Sequence, residues 1–168
     1  MSHRPFVMWP DTRLTRPAEP VASVNEEIRA IWEEMLRAMY AMPGVGLAAP
    51  QLGIGMRLAV VDAGDGAPAV RLANPRLISA AETLRAHEEA SPNLPGVSAR
   101  ISRPAPVRVA YLDETGTETE RAFAGLWATS VQHQLDHLEG RLFIDRLSPL
   151  KRTRLLAKYA KLQRRRRA

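Results

Sequence analysis

The stretch Gly125-Leu126-Trp127-Ala128-Thr129-Ser130-Val131-Gln132-His133-Gln134-Leu135-Asp136-His137-Leu138-Glu139-Gly140 decides how the rest of the chain is read. His133 and His137 are four residues apart, so on a helix both imidazoles project from one face, the spacing at which one turn supplies a metal ion with two nitrogen ligands. Leu126, Trp127, Val131 and Leu138 predict a largely buried helix, and Gly140 is the glycine expected just past its end. The pattern H-Q-x-x-H is one residue away from the H-E-x-x-H of metallohydrolases, in which the glutamate moves the protons. That position here is Gln134. Spacing alone favours two buried histidines satisfied by hydrogen bonds over a ligand pair. Asp136 lies off their face and is expected to make a supporting contact.

At 168 residues the chain is long enough for one domain with a substantial core. No cysteine is present, which excludes disulfides and any thiolate ligand or nucleophile, so a metal would be held by nitrogen and oxygen. No apolar run approaches a membrane span and Met1 to Pro10 does not read as a signal peptide, so a soluble, cytoplasmic protein without membrane contact is expected. The net charge of +6 is uneven: residues 151–168 carry nine Lys and Arg and no acid, leaving 15 basic against 18 acidic residues, net −3, before them. A mildly acidic body with a cationic end points to a polyanion such as RNA bound through that end, although most charge runs are solvated helix faces.

Outward from the histidine stretch, Phe6 to Val21 carries three prolines and the turn signal Pro10-Asp11, and reads as an extended arm wrapping the domain. Ser23 with Glu26 predicts a capping box, followed by a helix whose buried face is Ile28, Ile31, Trp32, Met35, Leu36 and Met39, ended by Pro43 and Gly44. Gly44 to Gln51 (GVGLAAPQ) is a small-residue loop over which backbone can approach a ligand closely, or a packing loop between helix and strand. Arg57 to Asp62 predicts a strand, Gly64-Asp65-Gly66 a hairpin turn, Val70 to Leu72 its partner, and Asn74-Pro75 a break. Arg76 to Ala86 reads as a further strand, His87 to Gly96 as a rigid irregular loop, and Val107 to Leu112 with Thr117 to Phe123 as a hairpin. Leu142 to Ile144 is a short strand or turn. Ser148 and Pro149 then start a last helix with the apolar stripe Leu155, Leu156, Tyr159 and Leu162. Short strands and three helices in irregular order predict an α+β fold of antiparallel strands around the central HxxxH helix.

With these pieces in order, the chain resembles the peptide deformylases, metal-dependent amidases that remove the formyl group from the initiator methionine of bacterial nascent chains. The likeness covers nearly the whole chain, with residues 1–150 as the family's domain and 151–168 as a basic C-terminal helix and tail of the same domain. The family's G-x-G-L-A-A-x-Q is intact at Gly44 to Gln51. The resemblance implies that Gly44, Val45, Gly46, Leu47 and Gln51 line the substrate site and that Gln51 donates to the formyl oxygen as it becomes an oxyanion, though Gln51 is equally able to bond its neighbouring backbone. E-G-C-L-S-x-P-G falls without a gap on Glu89 to Gly96, with Ser91 where the family has its cysteine ligand and Pro92 where the next backbone N–H serves the oxyanion. Q-H-E-x-D-H-L-x-G is matched at Gln132 to Gly140 except for Gln134. His133, His137 and Ser91 are therefore the implied metal positions. The implied cofactor is a divalent ion, iron, nickel, cobalt or zinc, and a site without metal is the other possibility the donor set leaves open.

Each departure falls on the chemistry. A serine hydroxyl stays protonated near neutral pH and is a poor ligand beside a thiolate. Gln134 keeps the shape of glutamate but cannot relay a proton, a loss typically costing roughly 10²–10⁴ in rate. Pro92 has no N–H to offer. The expected protein is a peptide deformylase-like chain with lost or strongly reduced activity that still binds an N-terminal methionine or formyl-methionine peptide. One alternative is an active deformylase or altered amidase using Glu88 or Glu89 as a third, carboxylate ligand. Another is a ribosome or RNA interaction protein acting through residues 151–168; the family's bacterial members carry a similar helix associated with docking on the ribosome.

Overall fold

The computed structural model describes residues 2–168. Helix α1 (Glu26–Ala41) buries Ile28, Ile31, Trp32, Met35, Leu36 and Met39 as its periodicity predicts. Its cap is not the Ser23–Glu26 box. Asn25 holds an extended backbone and its side chain accepts from the Ile28 N–H, so the cap lies two residues later, next to the first helical turn.

Strands β1 (Gly46–Ala48), β2 (Leu58–Val61), β3 (Val70–Ala80), β6 (Val107–Leu112) and β7 (Glu118–Phe123) form one antiparallel sheet in the order β1-β2-β3-β6-β7. β4 (Leu84–Ala90) and β5 (Ser98–Pro104) form a separate antiparallel hairpin. The predicted Arg76 to Ala86 strand is thus divided: β3 runs straight through Asn74-Pro75, and β4 begins after a gap. Asn74 takes a positive φ of 48° at a register shift against β6, and its amide both donates to and accepts from Val21, tying down the arm. What reads as a break is a bulge.

The alternation along β2 builds the core. Leu58 and Val60 pack with α1, whereas Ala59 and Val61 pack with Ala128, Val131 and Leu138 of α2 (Gly125–Leu138). The histidine helix therefore lies against one face of the sheet while α1 covers the other. Val7 and Ala18 of the arm bond to Gln51 and Leu138, and the arm includes a short 3₁₀ turn at Thr12–Thr15 rather than being extended throughout. Gly140 has φ 79°, and a Cβ there would come within 2.7 Å of the Thr15 carbonyl, so the turn after α2 admits only glycine.

Leu142 to Ile144 enters a 3₁₀ turn (Phe143–Arg146). α3 (Pro149–Arg167) starts at Ser148, whose hydroxyl accepts from Lys151 N, and docks Leu155 and Tyr159 on Leu94, Val97 and Ile101. Its four terminal arginines are exposed. Among the described residues no helix is long and apolar enough to cross a membrane.

Candidate active site

A cavity of about 530 Å³ opens between β1, the β4–β5 hairpin and α2. Gly44, Val45, Gly46 and Gln51 line it from one side, Ser91, Pro92 and Pro95 from another, and His133 and Gln134 from the helix. Leu47 does not. It is fully buried in the cluster around α1, because strand alternation turns its side chain to the face opposite α2.

The two histidines converge as their spacing predicts. His133 Nε2 and His137 Nε2 are 3.1 Å apart, close to the about 3.3 Å that two bonds of 2.0–2.1 Å to one tetrahedral ion impose. Burial, followed by the proximity of His133 and of the Arg103 guanidinium, holds the His137 pKa well below its usual value. Its Nδ1 has no partner among the described residues.

Behind His133 lies an ionic network. Glu89 Oε1 accepts from His133 Nδ1 at 2.9 Å, and Arg103 makes two parallel bonds to the same carboxylate at 2.7 and 2.9 Å. Arg103 also reaches Asp136, which in turn holds Arg146 through both its oxygens. Burial acts to raise the Glu89 pKa, but the hydrogen bonds from His133 and Arg103 outweigh it and keep the carboxyl below its ordinary value. Glu89 consequently orients His133 from the ring nitrogen remote from His137. It is not the third ligand considered for it. Glu88 is exposed and accepts from Ser98.

On the cavity side the groups are neutral. Ser91 Oγ donates to Asn93 Oδ1 at 2.8 Å, and Gln51 Nε2 donates to Asn93 Oδ1 at 2.8 Å and to Ser91 Oγ at 3.3 Å. Gln51 Oε1 accepts from Ala48 N. Asn93, fully buried, closes the cluster by donating to the Val7 and Gln51 carbonyls. The Gln51 amide expected to face an oxyanion is thus committed to its own protein, and Ser91 is held as a neutral hydroxyl.

These donors can be tested against a divalent ion. Two imidazoles fit; the third position does not, since it offers a protonated hydroxyl already bonded to two amides. Among the described residues no group of three His, Cys, Asp or Glu side chains is placed to hold a metal. The set does not fit the metal that the family resemblance implies.

Gln134 is 4% exposed and lies against Gly46, where a Cβ would collide with Gln134 Nε2 and Ser130 Oγ. The glycine loop therefore does let backbone approach closely, and what approaches is the side chain of Gln134. Asn93 and Arg103 were not singled out by sequence. Asn93 carried a signal, as a further change within the stretch Glu89 to Gly96. Arg103 carried none beyond the need of two buried acids for a cation.

A buried histidine pair one helical turn apart thus faces a glutamine-bearing loop across a cleft in an α+β domain. The model of the polypeptide deformylase family matches residues 3–153, and the chain belongs to that family. It is 44% identical over 167 residues to a peptide deformylase of Methylocella silvestris, covering 96% of this chain and 85% of that protein. A peptide deformylase-like protein of Bradyrhizobium diazoefficiens is 40% identical over 166 residues, covering 98% and 96%. The crystal structure of peptide deformylase from Ehrlichia chaffeensis in complex with actinonin superimposes with a TM-score of 0.90 at 32% identity, covering 98% and 99%.

Proposed function

We propose that this chain is a peptide deformylase-like protein that has lost, or strongly reduced, hydrolysis and retains binding of N-terminal methionine or formyl-methionine peptides. The observation that carries this reading is the neutral Gln51–Ser91–Asn93 cluster at the third ligand position, with hydrogen bonds of 2.8 Å from both Ser91 and Gln51 to one amide oxygen. Gln134 and Pro92 support it independently, the one unable to relay a proton and the other unable to donate one. The about 530 Å³ cavity supports the retained binding, being sized for a short peptide end. The actinonin bound by the Ehrlichia protein occupies a relative of the same fold.

Two measurements on protein purified without a metal-affinity tag test this. Elemental analysis after anaerobic incubation with iron, nickel, cobalt or zinc is expected to find well under one ion per chain. Hydrolysis of a formyl-methionyl peptide is expected at least roughly 10²-fold below an active relative. One tightly held ion lost on changing His133 and His137, together with ordinary turnover, overturns the proposal.

A second reading is favoured by α3, whose four terminal arginines are exposed while Leu155 and Tyr159 dock on the domain. Such a helix is suited to a ribosomal RNA backbone. Binding to ribosomes should then fall steeply with salt and disappear when residues 151–168 lose their charge, leaving the cavity unaffected.

A further inference from the structure

Helix α2 turns Leu126, Thr129, Ser130, His133 and Gln134 to the cavity, the spacing of a single helical face, and only the first of them is apolar. Leu126 stands at the rim, 36% exposed, and Thr129 and Ser130, 5% and 3% exposed, form the wall one turn further in. A hydroxyl inside a helix ordinarily bonds the carbonyl one turn back. Neither of these does. Thr129 Oγ1 pairs with His87 Nδ1 on β4 at 2.7 Å, and Ser130 Oγ donates to the Val45 carbonyl at 2.8 Å, so one reaches toward the hairpin and the other toward the chain entering β1. Ser130 has given up its proton and keeps lone pairs. Thr129 keeps at least one lone pair whichever member of its pair donates. The inner wall therefore carries two hydroxyl acceptors at neighbouring positions.

From this we infer that the cavity selects a peptide whose first side chain ends in a carboxamide, as glutamine does, over one ending in methionine's thioether, with Thr129 and Ser130 as the residues that make the choice. The inference rests on the peptide-binding reading above and widens it at one point, the first side chain. Glutamine and methionine are unbranched and of similar length, so the same space admits both. Their ends differ. A carboxamide brings two N–H donors to two hydroxyl acceptors, whereas a thioether brings none. An apolar end that displaces water from hydroxyls without replacing its hydrogen bonds loses affinity. A glutamate of the same shape fares worst, because its ionised end only accepts and the cavity lining holds Glu88 and Glu89 but no lysine or arginine. His87 acts through Thr129, holding that side chain off its own helix and against the cavity.

Titration calorimetry of the full chain with formyl-Gln-Ala-Ala, formyl-Met-Ala-Ala, formyl-norleucyl-Ala-Ala and formyl-Glu-Ala-Ala tests this, since only the first side chain varies. The glutamine peptide should bind at least about fivefold tighter than the methionine and norleucine peptides, the worth of one buried hydrogen bond, and the glutamate peptide should bind weakest. Thr129→Val keeps the shape and removes the hydroxyl, so it should weaken the glutamine peptide by about fivefold and leave the methionine peptide bound as well as before or better. Ser130→Ala should act in the same direction, and circular dichroism checks that both variants are folded. The ranking in the parent protein needs neither. Methionine or norleucine bound as tightly as glutamine by the parent, or a folded Thr129→Val protein as selective as the parent, overturns the inference while the peptide-binding reading stands. Failure of all four peptides to bind overturns both.

Discussion

The two sides of His133 differ in kind. Toward the β4–β5 hairpin it meets Glu89 within a chain of full charges that continues through Arg103 to Asp136 and Arg146, every member paired. Toward the cavity it meets hydroxyls and amides, and no ionised group of the floor remains free. The charged side orients an imidazole as metal sites do, and the neutral side offers a hydroxyl and amides in place of a third ionised donor. Orientation and chemistry are therefore carried by separate residues, and the second set has changed while the first stands intact.

The most severe way to break this contrast is to rebuild the cavity side alone. Combining Ser91→Cys, Pro92→Leu, Asn93→Ser and Gln134→Glu should give a protein that binds about one divalent ion per chain and hydrolyses formyl peptides at least roughly 10⁴-fold faster than the parent. Single reversals should recover far less, because groups acting as a unit are not additive. In particular Ser91→Cys without Asn93→Ser leaves the new thiol beside an amide that already binds Gln51. Metal content and formate release measure both statements.

Next in size is an attack on the charged side. Arg103→Met leaves Glu89 buried with its main counter-charge gone and Asp136 paired with Arg146 alone, and should cost about 3–5 kcal/mol of stability in urea unfolding. The contrast predicts that the exposed pair Arg76–Glu118 costs little when broken, on the order of 0–1 kcal/mol.

How these two sides were legible explains why only one was anticipated. The histidine helix, the two sheet hairpins and the α1 face followed from periodicity and turn residues, which are local. Ser91, Pro92 and Gln134 were legible as departures from a motif. Arg103 was not, because its carboxylate partners lie 14 and 33 residues away and no spacing rule connects them. Asn74-Pro75 misled because a positive φ tied to the arm lets a strand pass a residue pair that ordinarily stops one. Leu47 misled because a loop motif says nothing of which face each residue takes once part of it pairs as β1.

On the neutral side Asn93→Ala is expected to destabilise by about 2–3 kcal/mol, since it strips partners from Ser91, Gln51 and the Val7 carbonyl, all in the interior. It also frees the Gln51 amide to turn toward the cavity, so the variant should gain some affinity for a peptide carbonyl while losing stability.

Gly46→Ala changes stability less than Asn93→Ala and bears most directly on the junction between the two sides. Its new methyl group would land on Gln134 Nε2 and Ser130 Oγ, both side-chain ends that can give way, so about 1–2 kcal/mol of strain is expected rather than unfolding. Ser130 is held by its bond to the Val45 carbonyl, whereas Gln134 Oε1 has no partner among the described residues, so Gln134 is the group expected to move. The variant should keep the Glu89–His133 pairing and lose no more stability than that, while calorimetry shows its affinity for a formyl-methionyl peptide reduced. If unfolding free energy instead falls by as much as on losing Arg103, orientation and recognition at this site are not separable, and the division drawn through His133 fails with them.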